Sequence, residues 1–282
     1  MTYREAEQRL ASDLQIIYSN RESGQLASWV MEHITGLKRV DRLLQKNQPL
    51  SSDQEEYWVL IRARMLQHEP IQYVLNEAPF MGLVLEVNRH TLIPRPETEE
   101  LVSWVLDDHP EKNLRVLDAG TGSGCIALAL KQQQPSWEIT AGDSSLEALQ
   151  VAAKNAARYQ FHIHFAEMDI LNPQDPGWGG KYKVIVSNPP YIPHKDKASM
   201  EAHVTAFEPT TALFVPDENP LQFYKALVAA APLHLEKGGW LYVEINDGLG
   251  EATLQLFQNA EWQAELRNDL QGNNRMIRAN YY

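Results

Sequence analysis

The period of the apolar positions changes twice along the chain. Up to residue 75 it is helical: Ala6, Leu10, Leu14 and Ile17 recur on one face, and Tyr57, Leu60, Ile61 and Met65 on another. Ser52 with Glu55 three residues later predicts a capping box opening the second stretch. Pro70 predicts its end. A small N-terminal helical domain is expected over residues 1–75. Over residues 76–97 the pattern shortens: Phe80, Leu83, Leu85 and Val87 around Gly82 predict a hairpin, which leads into a linker stiffened by Pro94 and Pro96. Glu97, Glu99 and Glu100 then fall in the first turn of a helix, where acids suit the dipole.

Residues 98–282 alternate between strand and helix. LRVLDA is a buried strand, followed by a Gly loop and the helix CIALALK. WEITAGD and SSLEALQVAAKNAARY form the next pair, HIHFAEMD a third strand, and YKVIVSNPPY a fourth that ends in a proline turn. A long loop is expected over roughly 192–218, then a helix over about 220–235, the strand GGWLYVEIN, one more helix, and strands near 263–268 and 275–280. This order predicts an α/β fold with a Rossmann-like, mostly parallel sheet. Ligands in such sheets bind beyond the carboxyl ends of the strands.

The 282 residues are 44% apolar and 22% charged, which suits a chain with a sizeable core. No uncharged apolar run approaches the ~20 residues of a membrane helix. The N-terminus lacks the apolar stretch of an export signal, and one cysteine cannot make an internal disulfide. A cytoplasmic protein without a membrane partner is expected. The net charge of −12 is uneven: residues 1–75 hold 9 Lys+Arg against 10 Asp+Glu, and residues 76–282 hold 16 against 27. Such an acidic region repels phosphate backbones, so nucleic acid is disfavoured as a partner.

Candidate chemistry begins in the Gly loop. Gly120, Thr121, Gly122, Ser123 and Gly124 join a strand to a helix, and the glycines let backbone approach a ligand closely. The spacing differs from both the dinucleotide fingerprint and the phosphate-binding P-loop. Asp143 closes the second strand, where a carboxylate accepts hydrogen bonds from ribose hydroxyls. Asp169 closes the third, where its side chain can accept from an adenine amino group. Together these residues describe a site for S-adenosylmethionine.

Asn188-Pro189-Pro190-Tyr191 follows the fourth strand. A planar nitrogen is a poor nucleophile and must be held with its lone pair aimed at the methyl group. The Asn188 side-chain oxygen accepts one N–H and the Pro189 carbonyl the other. Pro190 biases Pro189 toward extended backbone, and Tyr191 offers a flat wall. Asn188, Pro189 and Tyr191 are therefore the expected catalytic residues, and the whole turn, Pro190 included, the substrate grip. Such a turn serves the amino groups of adenine or guanine as well as a glutamine amide.

The stretches EPIQYVL (69–75), LIPRPETEELV (92–102), LDAGTGSGCIALAL (117–130), VSNPPYIP (186–193), FEPTTAL (207–213) and DLQGNNRMIRA (269–279) resemble those of the PrmC/HemK release factor glutamine methyltransferases. The resemblance implies a class I AdoMet-dependent methyltransferase fold with a substrate-recognition domain at the N-terminus. It implies N5 methylation of the glutamine in the Gly-Gly-Gln loop of class 1 peptide chain release factors by a monomeric enzyme. Gly120 to Gly124 would line the methionine part, with Asp143 on the ribose, Asp169 and Ile170 at the adenine, and Asn188 to Tyr191 on the glutamine, Asn188 bordering the cofactor as well. The chain departs from the family at Gly142, where a larger residue is commoner, in DENPLQFY (217–224), and at Asn246, where glycine is usual. The rival readings are a nucleic-acid amino-methyltransferase (adenine N6 or guanine N2) and a noncatalytic AdoMet-binding protein.

Other residues read more plainly. Cys125 suits packing at a helix start, although a helix N-terminus lowers a thiol pKa. His162 and His164 share a strand face but make too few ligands for a metal. Arg95 either orders the linker near the cofactor or pairs with nearby acids. Trp29 and Trp58 are expected in the helical core.

Overall fold

A computed structural model describes residues 1–258 and 261–282, apart from the side chain of residue 202. The chain forms two compact units, Met1–Asn76 with Glu201–Phe207, and Glu77–Met200 with Glu208–Tyr282.

The first unit holds α1 (Tyr3–Leu14), α2 (Asn20–Thr35), α3 (Arg39–Leu44), α4 (Ser52–Met65) and α5 (Ile71–Leu75). Ala6, Leu10 and Leu14 of α1 meet Val30 and Met31 of α2 and Trp58, Ile61 and Met65 of α4 in one core. The capping box of α4 is Ser51 with Gln54, one residue earlier than the Ser52–Glu55 pair expected. Both pairs have suitable chemistry at the same spacing, so sequence alone does not separate them. The buried face of α4 is likewise set by Trp58, and Leu60 is 54% exposed.

The second unit opens with an antiparallel hairpin, β1 (Glu77–Phe80) and β2 (Leu83–Glu86). Then follow α6 (Pro96–Asp108), β3 (Arg115–Ala119), α7 (Cys125–Gln133), β4 (Glu138–Asp143), α8 (Leu146–Arg158), β5 (His164–Glu167) and β6 (Tyr182–Ser187). Residues 192–218 are more ordered than the loop expected there: β7 (Ile192–Pro193), α10 (Thr210–Leu213) and β8 (Phe214–Val215) belong to this unit, and α9 (Ala202–Phe207) between them belongs to the first. The chain continues through α11 (Gln222–His234), β9 (Leu235–Glu244), α12 (Gly250–Gln255), β10 (Trp262–Asn268) and β11 (Asn274–Tyr281).

Seven strands form one sheet in the order β10-β11-β9-β6-β3-β4-β5. The last five are parallel, and β11 runs antiparallel to both β9 and β10. Side chains alternate between its faces. Val116, Val184 and Val186 join one buried cluster with Leu101 and Leu128. Leu117, Ile185 and Leu241 join another with Tyr224 and Leu227. Register brings Ala119 beside Gly142 and Ser187, and Ser187 beside Val243. The carboxyl ends of β3, β4, β6 and β9 therefore open at one end of the sheet.

The edge strand β5 differs from the sequence expectation. Pairing with β4 begins at His164 and ends at Glu167. His162 thus precedes the strand and Asp169 lies two residues past it. A strand with a single partner shortens where nothing pairs its far side. Within the second unit the hairpin is tied to α8 by Asn155. Its side chain accepts from Glu86 N at 2.6 Å and donates to Glu86 O and Ser123 O, each at 2.9 Å. No described helix is long and apolar enough to cross a membrane.

Candidate active site

The cleft at the carboxyl end of the sheet is lined by Gly120 to Ser123, Asp143 to Ser145, Met168 to Ile170, Asn188 and Pro190. Leu92, Pro94, Arg95 and Thr98 line another side, with Thr211, Ala212 and Phe223. The Gly loop holds its shape through tight turns. Gly120 and Gly124 sit at φ 80° and 83°, a left-handed region that favours glycine. A Cβ on Gly124 would also stand 2.5 Å from Leu128 Cδ1 and 3.1 Å from Ala152 Cβ. The N–H groups of Gly120 and Thr121 both donate to Gly142 O, at 2.8 and 2.9 Å, which fastens the loop to β4.

Asp118, at the mouth of β3, is fully buried and organises the loop from behind. Its Oδ2 accepts from Thr121 Oγ1 at 2.6 Å and from Ala127 N at 3.1 Å. One N–H at the start of α7 is thus taken by Asp118 rather than by a ligand. Its Oδ1 has no hydrogen-bond partner among the described residues. Burial pushes its carboxyl up to about 7. Asp118 has no role in the sequence reading. Its signal is an acid ending an apolar strand three residues before a threonine.

Asp143 ends β4 and faces the cleft. Its Oδ2 accepts from Gly122 N at 2.8 Å and its Oδ1 from Ser145 N at 2.9 Å. Each carboxylate oxygen keeps a further lone pair, so Asp143 can bind the loop and a diol at once. Burial raises its pKa. Asp169 is exposed and turns the chain after β5 by accepting from Leu171 N at 2.8 Å. Ile170 is buried, and its Cδ1 lies 3.4 Å from where a Cβ on Gly120 would stand. A paired diol acceptor, an apolar wall and an exposed acid in one cleft fit the parts of S-adenosylmethionine. Gly142 has a local explanation. A Cβ there would lie 2.7 Å from Met168 Cε, so Met168 fills the space of a larger residue.

The Asn-Pro-Pro-Tyr turn begins where β6 ends. Asn188 Nδ2 donates to Thr98 Oγ1 at 3.1 Å, and Thr98 Oγ1 donates to Glu244 Oε2 at 2.6 Å. Pro189 is buried. The Tyr191 hydroxyl donates to Glu244 Oε1 at 3.1 Å, and its ring packs against the cluster of Leu117, Ile185 and Tyr224. Burial beside the Glu244 carboxylate raises the Tyr191 pKa. Asn246 Nδ2 donates to Tyr191 O at 3.3 Å and its Oδ1 accepts from Gly248 N at 2.9 Å. The departure at 246 therefore ties the turn to the loop after β9.

Arg95 is the partner of a buried acid. Its guanidinium lies 2.6 Å from Glu208 Oε1, and Glu208 Oε2 accepts from Ile93 N at 3.1 Å. Cys125 is half-buried and lines the cleft, and burial pushes its thiol up to about 12, so it stays protonated. Trp58 is 2% exposed in the helical core, and the partly buried Trp29 packs against the same cluster.

Residues 98–211 match the profile of the methyltransferase small domain and residues 3–75 that of the PrmC N-terminal domain. A release factor glutamine methyltransferase from Flavobacterium psychrophilum is 39% identical over 270 residues, 94% of each chain. One from Bacteroides thetaiotaomicron is 36% identical over 272 residues, 96% of this chain and 97% of that one. Among solved structures, a Pyrococcus furiosus methyltransferase aligns at TM-score 0.53 and 18% identity over 78% of this chain and 96% of its own. The hMettl16 catalytic domain aligns at 0.54 and 15% over 82% and 83%. These two likenesses show a class I methyltransferase fold.

Proposed function

The chain belongs to the release factor glutamine methyltransferase family, and from that premise we propose that it transfers a methyl group from S-adenosylmethionine to N5 of the glutamine in the Gly-Gly-Gln loop of class 1 release factors. The observation that carries the reading is Asn188, held in the cleft wall with its Nδ2 on Thr98, on the same cleft as the Gly loop and Asp143. Gly120 to Gly124 hold the methionine part, Asp143 the ribose, and Asp169 with Ile170 the adenine.

When bound, S-adenosylmethionine supplies an electrophilic methyl group. The chain's own contribution is orientation. Asn188 Oδ1 accepts one N–H of the glutamine amide and the Pro189 carbonyl accepts the other, so the nitrogen lone pair points along the line of attack. Tyr191 acts through its tether to Glu244, which fixes where the turn stands. Glu244 is the acid nearest the turn, and both its oxygens are occupied by Thr98 and Tyr191. We therefore assign no general base, and the proton leaving the methylated amide goes to water.

The helical unit is the substrate-recognition domain and grips the release factor away from the reacting loop. The protein acts as a cytoplasmic monomer, and the acidic catalytic region argues against nucleic acid as substrate. Transfer of labelled methyl from S-adenosylmethionine to purified release factors and to nucleic acid, side by side, tests the reading. Label on the release factor glutamine alone is expected. Label on nucleic acid in place of release factor would overturn it.

A further inference from the structure

An asparagine can present either end of its amide, and only the oxygen end accepts an N–H from a glutamine. At Asn188 the choice is set from behind. Thr98 stands in the first turn of α6 and Glu244 at the end of β9, 146 residues apart in sequence, and they are 2% and 1% exposed. Burial raises the Glu244 pKa, and the hydroxyls of Thr98 and Tyr191 together with the Arg275 charge oppose that rise. As a carboxylate Glu244 only accepts, so the Thr98 hydroxyl hydrogen goes to its Oε2, 2.6 Å away. The Thr98 oxygen then offers only lone pairs to Asn188, 3.1 Å away. The amide must meet it with Nδ2, and Oδ1 is left for the cleft. Among the described residues no protein donor reaches that Oδ1. Glu244 is pinned in turn by the Tyr191 hydroxyl on Oε1, at 3.1 Å, and its backbone carbonyl accepts from the Tyr224 hydroxyl, also at 3.1 Å.

We propose that Thr98 and Glu244 are positioning residues, which lock the Asn188 amide with its oxygen toward the substrate glutamine. The inference rests on the reading of Asn188 as the residue that orients that glutamine. Both are almost wholly buried and act through the Asn188 amide. Together they form a one-way chain, from amide to hydroxyl to carboxylate, whose direction is imposed by the one member that cannot donate. A glutamine at 244 breaks the direction. Its Nε2 can donate to Thr98, whose hydroxyl is then free to donate to Asn188 Oδ1, and the amide turns its NH₂ end to the substrate. A valine at 98 removes the acceptor for Nδ2 at almost unchanged volume.

The test compares Thr98→Val, Thr98→Ser, Glu244→Gln and Asn188→Ala in the full chain, with release factor as methyl acceptor. Calorimetric S-adenosylmethionine affinity reports on folding. Thr98→Val and Glu244→Gln are expected to turn over at least about tenfold slower at saturating substrates, on the scale of a preorganised hydrogen bond lost from the transition state. Cofactor affinity and the release factor KM stay within about twofold, because the lost contact orients rather than binds. Thr98→Ser keeps the hydroxyl and is expected within about threefold of wild type. The proposal fails if Asn188→Ala is slow while Thr98→Val or Glu244→Gln turns over normally. It also fails if Thr98→Ser is as slow as Thr98→Val, which would make the side chain's packing the cause. Should Asn188→Ala itself turn over normally, the reading of Asn188 falls and takes this inference with it.

Discussion

Asp118 shows how much one buried side chain bears on both loop shape and stability. Its carboxyl is raised to about 7, whereas an aspartate in the unfolded chain titrates near 3.8. Below about pH 4 both states hold the proton. Between about pH 4 and about 7 the folded protein keeps a proton that the unfolded chain releases, so Asp118 makes stability fall as pH rises through that window. Above it the loss is complete. Asp118→Asn leaves a buried amide N–H without an acceptor, a roughly constant cost of about 1–3 kcal/mol, and it removes Asp118's share of the slope, leaving that of the other buried acids such as Asp143. Denaturant titrations from pH 4 to pH 8 should show wild type losing roughly 2–4 kcal/mol relative to the variant. Parallel curves would show that Asp118 does not titrate in this window. At this scale sequence reading is strongest where the chemistry is contiguous. The Gly loop and the Asn-Pro-Pro-Tyr turn are legible because all their parts are neighbours in the chain. Thr98 and Glu244 are not, because only the sheet's crossover order brings them together.

Among the elements, the clasp between the segment before α6 and the segment before α10 has the clearest consequence. Arg95 and Ile93 N both reach Glu208, whose side chain is fully buried. Leu92, Pro94 and Arg95 line one part of the cleft, and Thr211 with Ala212 lines another. The clasp thus holds two parts of the cleft wall to each other. Breaking a buried pair costs about 3–5 kcal/mol. Arg95 is 32% exposed, so solvent takes up part of its charge. Glu208→Ala is expected to lower stability by about 1–3 kcal/mol in chemical denaturation and to speed amide exchange at Ile93. An unchanged midpoint and unchanged exchange would show that the clasp is idle. The alternation of strands and helices was legible from period alone, since each buried strand is an apolar run bounded by turn residues. Element ends were less so. The α4 cap shifts by one residue and β5 starts late, because competing caps and single-sided pairing are decided by tertiary contacts.

Across the whole molecule the charge is unevenly divided. The region after residue 75 carries the acid excess, and the helical region is nearly neutral. Within the helical unit, however, a cleft gathers Arg4, Arg21 and Arg39 around Trp29, with Glu7 and Glu32 as the acids. Cations around an aromatic suit an acidic protein surface. Replacing Arg4, Arg21 and Arg39 together by Glu is expected to raise the release factor KM about tenfold, more at low salt, and to leave cofactor affinity unchanged. An unaltered KM would give this cleft another purpose. The first compact unit's main segment ends at Asn76, close to a change in the period of the apolar positions, and it also includes Glu201–Phe207, which no such change marks. Nothing local in those residues marks them as belonging to a unit formed more than a hundred residues earlier.

The central claim is that the Asn-Pro-Pro-Tyr turn orients a glutamine amide and does little for cofactor binding. Single-turnover methyl transfer to release factor by Asn188→Ala, at saturating cofactor and acceptor, tests it most directly. A rate at least about a hundredfold below wild type is expected, because the Asn188 bond strengthens as charge develops on the amide, with calorimetric S-adenosylmethionine affinity nearly unchanged. A near-normal rate would contradict it and would mean that the glutamine is held elsewhere.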